Sequence, residues 1–326
     1  MGSGGFFGFF LDLFFVVPAL LLVRAAFPNP LVFRIAAAIA GLYLLYGQGP
    51  RMVPFFIGYW VIVWALQFLA ARAEQWTGEV STRAALAVIV LVPLVPMLAW
   101  KIAPDAVVPW FNKVTAQLLW SATPGFGFAD ALVGLIVPLG LSFATFRAID
   151  LLLKINLGLL EPLSFDRVFY YGLFPPILAL GPIAEYEEVR ADKPRPRLPE
   201  AGDLSVGLFR IAWGTIKIFG IGMALERAAA YLWAGGGASV PVAWVAMVLY
   251  GLFFYANFSG FSEVAIGLTR LFGLKLKENF NNPYLKTNPQ AFWNAWHMSL
   301  TRWTQRYIFV PLGGMRPERQ YFAIFA

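Results

Sequence analysis

Apolar runs long enough to cross a bilayer recur along this chain, and they leave it few folds to adopt. A helix needs about 20 apolar residues to cross the hydrocarbon core. Backbone in lipid must satisfy its own hydrogen bonds, so a chain written this way is predicted to be an all-α integral membrane protein with several spans. The runs read Phe6–Val23, Leu31–Tyr46, Val53–Ala71 and Ala84–Trp100. A proline-bearing loop, Lys101–Asp130, precedes a fifth run, Ala131–Phe146. Two more, Phe209–Trp233 and Pro241–Phe258, come later. Phe6–Val23 lacks a basic leader and a small-residue cleavage site, so it reads as a first span and not a signal peptide.

Composition agrees. Only 13% of the residues are charged, about half the share in a soluble chain. The net charge of +7 reflects basic residues between the apolar runs, which fits orientation in a membrane and not nucleic-acid binding. There is no cysteine, which excludes disulfides, thiolate metal sites and thiol nucleophiles. No metal site is expected.

Val168–Ala184 is apolar but carries Pro175-Pro176 and Gly181-Pro182. The proline pair breaks a regular helix, so the segment is predicted to be re-entrant or interfacial, with surrounding protein satisfying its backbone. Charge supports this separately. If the segment does not cross, the basic loop residues from Arg24 to Lys286 gather on one side, with only Arg51, Lys101 and Lys113 opposite. That asymmetry makes the crowded side cytoplasmic and the N-terminus external. Arg147–Arg167 reads as a mixed stretch, and Glu185–Asp203 as the most hydrophilic loop.

The single histidine, His297, lies in a polar, aromatic stretch, Asn279–Gly314. Imidazole is the obvious group for proton chemistry near neutral pH. Asn288-Pro289 signals a helix start. Phe292, Trp293, Trp296, Leu300, Trp303 and Tyr307 then recur at helical spacing on one face, and Asn294, His297 and Thr301 on another. Pattern alone favours an interfacial helix with its tryptophans at headgroup depth. Polar groups gathered where the chain is too short to span point instead to a cavity or pathway. Upstream, Asn257, Ser259, Ser262 and Glu263 follow an apolar run, with Gly260 allowing a bend. They mark either a helix end at the interface or a cavity wall. Lys217 reads as a snorkelling side chain, and Asp12 and Arg24 as packing or topology features.

Five blocks carry a resemblance: Val137–Leu153, Phe174–Glu188, Phe209–Gly222, Tyr255–Leu285 and Phe292–Gly314. In this order they resemble the membrane-bound O-acyltransferase family. The branch is the one that includes alginate O-acetylation and teichoic acid D-alanyl transfer proteins. The resemblance implies a single membrane domain over 1–326, with N-terminal spans over 1–130 and core blocks over 131–326. Spanning, re-entrant and amphipathic helices would surround a central tunnel. It implies a bacterial inner-membrane acyltransferase with no resident cofactor. The donor would be acyl-coenzyme A, such as acetyl-coenzyme A, or an acyl-carrier thioester on the cytoplasmic side. The acceptor would be an extracytoplasmic polysaccharide hydroxyl or a partner acyltransferase.

His297 matches one of two family histidines at the active centre. Asn294 and Thr301 would orient its ring, and Trp293, Trp296, Asn257 and Ser259 would line the tunnel. The second family histidine normally follows the PLGG block in a later apolar helix, so the chain is expected to continue past Ala326. Asn257 stands where many relatives have aspartate, and Asn294-Ala295 where many have two arginines, which implies a different acceptor or partner from the alginate system. Two other readings stand beside this one. A channel or transporter would use Lys217, Asp12 and Glu263, though no repeat is visible. A non-catalytic membrane subunit would only dock a soluble acyltransferase.

Overall fold

The computed structural model describes residues 3–73, 79–102, 140–179, 181–190, 198–234 and 239–314. Regular structure among them is helical throughout. The expected loop beyond Ile102 and the Ala131–Phe146 run up to residue 139 lie outside the described residues. Two compact units emerge: Met1–Ala179 with Glu185–Lys193, and Leu180–Ala184 with Pro194–Ala326.

The first unit begins with α1 (Ser3–Ala26), α2 (Pro30–Gln48), α3 (Met52–Ala73) and α4 (Glu79–Ile102). The Asn29 side chain accepts from Leu31 N at 2.9 Å to cap α2, whose first residue is Pro30, a combination suited to a helix start. α1 packs on α2, and α3 on α4. Asp12 accepts from Tyr43 Oη at 3.4 Å, and Arg24 lies over the Phe33 ring at 5.6 Å, so both are packing features here.

α5 (Leu141–Asn156) departs from expectation. The sequence suggested a mixed stretch over Arg147–Arg167, yet the helix continues through its first part to Asn156. Arg147, Asp150 and Lys154 are buried because each has partners inside the unit. Lys154 Nζ bonds Glu185 at 2.6 Å and Glu187 at 2.8 Å, and lies 3.2 Å from Asp150. Arg147 donates to the carbonyls of Tyr171 at 2.8 Å and Gly172 at 3.3 Å. Those carbonyls end α6 (Phe165–Leu173), where a helix has unsatisfied acceptors and partial negative charge. A buried cation there replaces the missing helical donors.

α6 has 9 residues, about 13 Å at 1.5 Å per residue, far short of a bilayer. Phe174 leaves the helix and Pro175–Ile177 makes one 3-10 turn. Every residue from Val168 to Ala179 is buried. Val168–Ala184 therefore contains no spanning helix among its described residues, as its prolines imply.

In the second unit α7 (Ala201–Thr215), a π-helical segment (Ile216–Gly222) and α8 (Met223–Ala234) join into one rod. Against it lies α9 (Val240–Leu271), with 32 residues, about 48 Å long. The sequence ended this span at Phe258 and put a bend at Gly260. The helix instead continues through Gly260 and Glu263 to Leu271.

The glycines serve close approach. A Cβ on Gly214 would lie 2.6 Å from the Gly260 carbonyl oxygen, and one on Gly260 2.8 Å from that of Gly214. Gly207 and Gly267 repeat the arrangement at 2.9 and 2.7 Å. Two glycines at matching spacing on each helix thus let α7 and α9 meet backbone to backbone, as small residues do between membrane helices.

Among the described residues, five helices are long and apolar enough to cross a membrane: Gly8–Ala26, Pro30–Gln48, Met52–Ala73, Ala201–Trp233 and Val240–Leu271. The protein is an all-α, multi-pass membrane protein.

Candidate active site

The helix predicted from Asn288 toward Tyr307 is broken in two. α10 (Pro289–Ala295) is capped by the Asn288 side chain, which accepts from Ala291 N at 2.8 Å. α11 (Met298–Thr304) follows. Between them Trp296 is extended, and His297 adopts the left-handed conformation, φ 45° and ψ 52°. Among the described residues only Asn282, φ 46°, shares this non-glycine positive φ. Left-handed backbone is uncommon for a residue other than glycine, though histidine and asparagine adopt it more often than most, and it is held here by its surroundings. The knuckle re-aims the imidazole away from the helical stripe the sequence proposed.

The enforcement is visible. Asn279, fully buried, accepts from Met298 N at its carbonyl at 2.8 Å. Its Oδ1 accepts from Ser299 N at 3.1 Å and Ser299 Oγ at 2.8 Å, and its Nδ2 donates to Ser262 Oγ at 3.0 Å. Ser299 Oγ also accepts from Ile183 N at 3.0 Å. The His297 carbonyl starts α11 by accepting from Leu300 N and Thr301 N at 3.0 and 3.2 Å.

His297 as a residue is half-buried, but its Nε2 is fully enclosed and meets no hydrogen-bonding partner among the described residues. Its ring stands edge-on to Phe258, centroids 4.7 Å apart. Phe258 in turn meets Phe280 at 5.1 Å, and Phe280 meets Trp296 at 5.2 Å. Burial among these rings pushes the imidazole pKa down to about 4, because a low-dielectric surround disfavours the cation. His297 is therefore neutral at pH 7. The linkage sign follows: burying the neutral ring costs nothing extra above pH 6.5, and the stability penalty grows as pH falls from there toward 4.

Beside the knuckle is a cavity of about 440 Å³ whose walls include Lys217, Tyr255, Ser259, Glu263, Asn279 and Met298. The cavity-wall reading of Ser259, Ser262 and Glu263 is thus the observed one. Lys217 does not snorkel. It sits on the π-helical segment and donates to Glu263 Oε1 at 3.2 Å. Arg210 bonds Glu263 Oε2 at 3.0 Å and also holds Glu278.

Removing the shared carboxylate should leave two cations facing each other. Glu263→Gln is expected to cost about 2 kcal/mol, less than for a fully buried pair because both groups touch solvent. Equilibrium unfolding in detergent reads this, and adding Lys217→Met should restore part of the loss.

The predicted site residues are only partly brought together. Ser259 lines the cavity and Met298, next to His297, does too, while His297, Asn257 and Trp296 are not on its wall. Thr301 Oγ1 donates to the His297 carbonyl at 3.4 Å and so touches the knuckle, not the ring. Trp296 is stacked with Phe292 at 5.6 Å and Phe254 at 6.1 Å. Asn294 is exposed, and Trp293 is 62% exposed, so both point away. Sequence reasoning missed Asn279 and Ser299. No group of three or more potential metal-ligating side chains occurs among the described residues.

Within the second unit, a histidine knuckle thus lies beside a polar cavity. Residues 153–326 match the membrane-bound O-acyltransferase family model, and the chain belongs to that family. It is 28% identical over 306 residues to a Pseudomonas aeruginosa protein described as probable alginate O-acetylase AlgI, covering 88% of this chain and 57% of that protein. It is 33% identical over 183 residues to the teichoic acid D-alanyltransferase of Bacillus subtilis, covering 54% of this chain and 46% of that one. Similarity to the peptidoglycan O-acetyltransferase of Helicobacter pylori is 27% identity over 347 residues, covering 96% and 60%. The chain thus spans well under two thirds of the length of these relatives.

Proposed function

We propose that this chain is the core of an O-acyltransferase in a bacterial inner membrane. It moves a short acyl group, acetyl in the simplest case, from a cytoplasmic thioester to a hydroxyl of an extracytoplasmic polysaccharide, directly or through a partner acyltransferase. Coenzyme A or a carrier protein brings the acyl group as substrate. The charge asymmetry of the loops supports an external N-terminus.

The observation that carries this reading is the His297 imidazole: neutral, with an enclosed Nε2 that meets no partner among the described residues, on a left-handed turn. A buried polar atom without a partner is costly and calls for an explanation. A neutral imidazole beside an acceptor hydroxyl is a general base. The hydroxyl oxygen adds to the thioester carbonyl, and its proton passes to the base. The tetrahedral oxyanion then collapses, expelling the thiolate, which takes up the proton as free thiol. Ser259, on the cavity wall, supplies a hydrogen bond that orients the reactants. A direct role for His297 requires the rings of Phe258 and Phe280 to admit the substrate.

The test uses full-length protein in proteoliposomes, with [¹⁴C]acetyl thioester on one side and polysaccharide acceptor on the other. Label in the polysaccharide is expected. Label that stays on the thioester while small solutes cross would instead support a channel or transporter.

A further inference from the structure

We infer that Asn279 is a positioning residue for His297: its buried amide ties α9 to the first turn of α11 and so holds the imidazole in the left-handed turn. The inference rests on the reading of His297 as the reacting base.

Four observations combine. Asn279 is fully buried, as are its partners Ser262 and Ser299. The orientation of its amide is forced, because Oδ1 faces the backbone N–H of Ser299 at 3.1 Å, which can only donate. The two N–H groups following His297, those of Met298 and Ser299, both end on Asn279, one on its carbonyl and one on its side chain. These are the first donors of α11, which a helix cannot satisfy internally. His297 stands at the N-cap but gives no side-chain cap, so Asn279 caps the helix from another segment and leaves the imidazole available.

The fourth observation is the anchor. Nδ2 of Asn279 donates to Ser262 Oγ at 3.0 Å. Ser262 lies on α9 four residues beyond Phe258, one helical turn along the same face, and Phe258 is the ring that packs on the imidazole. One amide thus connects the helix that supplies the packing ring to the turn that supplies the imidazole. Without it, the turn keeps the backbone bond from Met298 N to the Asn279 carbonyl but loses the side-chain tie to α9, so His297 relaxes more readily to an ordinary backbone conformation that swings the ring away from Phe258.

The experiment compares Asn279→Ala, Asn279→Asp, His297→Ala and the Asn279→Ala/His297→Ala double variant in full-length protein. Acetyl-transfer kinetics are measured alongside site-resolved carbethoxylation of His297 by diethyl pyrocarbonate. Asn279→Ala should lower kcat by about 10- to 100-fold with donor KM within about threefold. It should also raise the carbethoxylation rate of His297 at least about fivefold, through freer local opening. Asn279→Asp keeps acceptors for both Ser299 bonds but loses the Nδ2 donor to Ser262, so it should recover only part of the rate. In the His297→Ala background, Asn279→Ala should add no further loss, since the two act as a unit.

Wild-type kcat and unchanged reactivity in Asn279→Ala would overturn the inference, as would losses that multiply in the double variant. If Asn279→Ala does not accumulate, Ser299→Ala, which removes only the hydroxyl arm, is read by the same two measures and the same criterion. The parent reading fails separately: wild-type turnover in His297→Ala overturns it, and this inference with it. An inactive His297→Ala beside a fully active Asn279→Ala overturns only the positioning role.

Discussion

Full-length protein carrying His297→Ala should lose acyl transfer by about 10²- to 10⁴-fold in kcat, the range general-base catalysis contributes. Donor KM should change little, because the polar cavity wall, from Ser259 to Asn279, is untouched by the change. Folding should survive. The ring makes one edge-on contact with Phe258, and its Nε2 contributes no hydrogen bond within the described protein. Truncation therefore removes packing but orphans no polar group, and the backbone bonds of the knuckle to Asn279 remain. A fall in kcat with normal detergent stability separates a chemical role from a structural one. Parallel measurement of His297→Gln, which keeps a polar group without imidazole basicity, should show a loss of the same order.

Gly260→Leu should prevent the second unit from assembling. The Gly260 Cβ position is 2.8 Å from the Gly214 carbonyl oxygen and 2.7 Å from Ile218 Cγ1. The first of these is backbone, so no side-chain rotation relieves it. Overpacking usually costs about 1–3 kcal/mol, occasionally more. Alanine should fall in that range and leucine above it, since its branch must enter a helix–helix contact with no free depth. Gly251 on the same helix is the control, because a Cβ there would meet only Tyr284 Oη, at 3.8 Å. Thermal unfolding of detergent-solubilised protein should rank Gly251→Ala near wild type, then Gly260→Ala, then Gly260→Leu. Separating the helices would also pull Glu263 from Arg210 and Lys217, so the damage should reach the cavity.

Spanning helices were legible because lipid imposes one rule on backbone and one length on apolar runs. That Val168–Ala184 forms no spanning helix among its described residues was legible because Pro175-Pro176 breaks a regular helix. Buried charge hid the rest. Arg147 and Lys154 look like loop residues until their partners, carbonyls from α6 and carboxylates at Glu185 and Glu187, are brought in from elsewhere. The end of α9 was misplaced for a similar reason: Ser259, Gly260 and Glu263 resemble a helix terminus, but face a partner helix and a cavity.

The break at His297 was invisible because the aromatic spacing runs on across it, and periodicity cannot report one residue of left-handed backbone. Asn279 gave no signal either, since asparagine near turns is common for local reasons. Its role depends on Ser262 and Ser299, 17 and 20 positions away.

The pH dependence of turnover tests the central claim most directly. Burial among rings keeps His297 neutral down to about pH 4. Catalytic turnover in full-length protein should therefore stay flat from pH 7.5 to about 5.5 and fall only below, as the base becomes protonated. A decline centred near pH 6.5, the ordinary imidazole value, would show a solvated ring and contradict an enclosed neutral base at the heart of this protein.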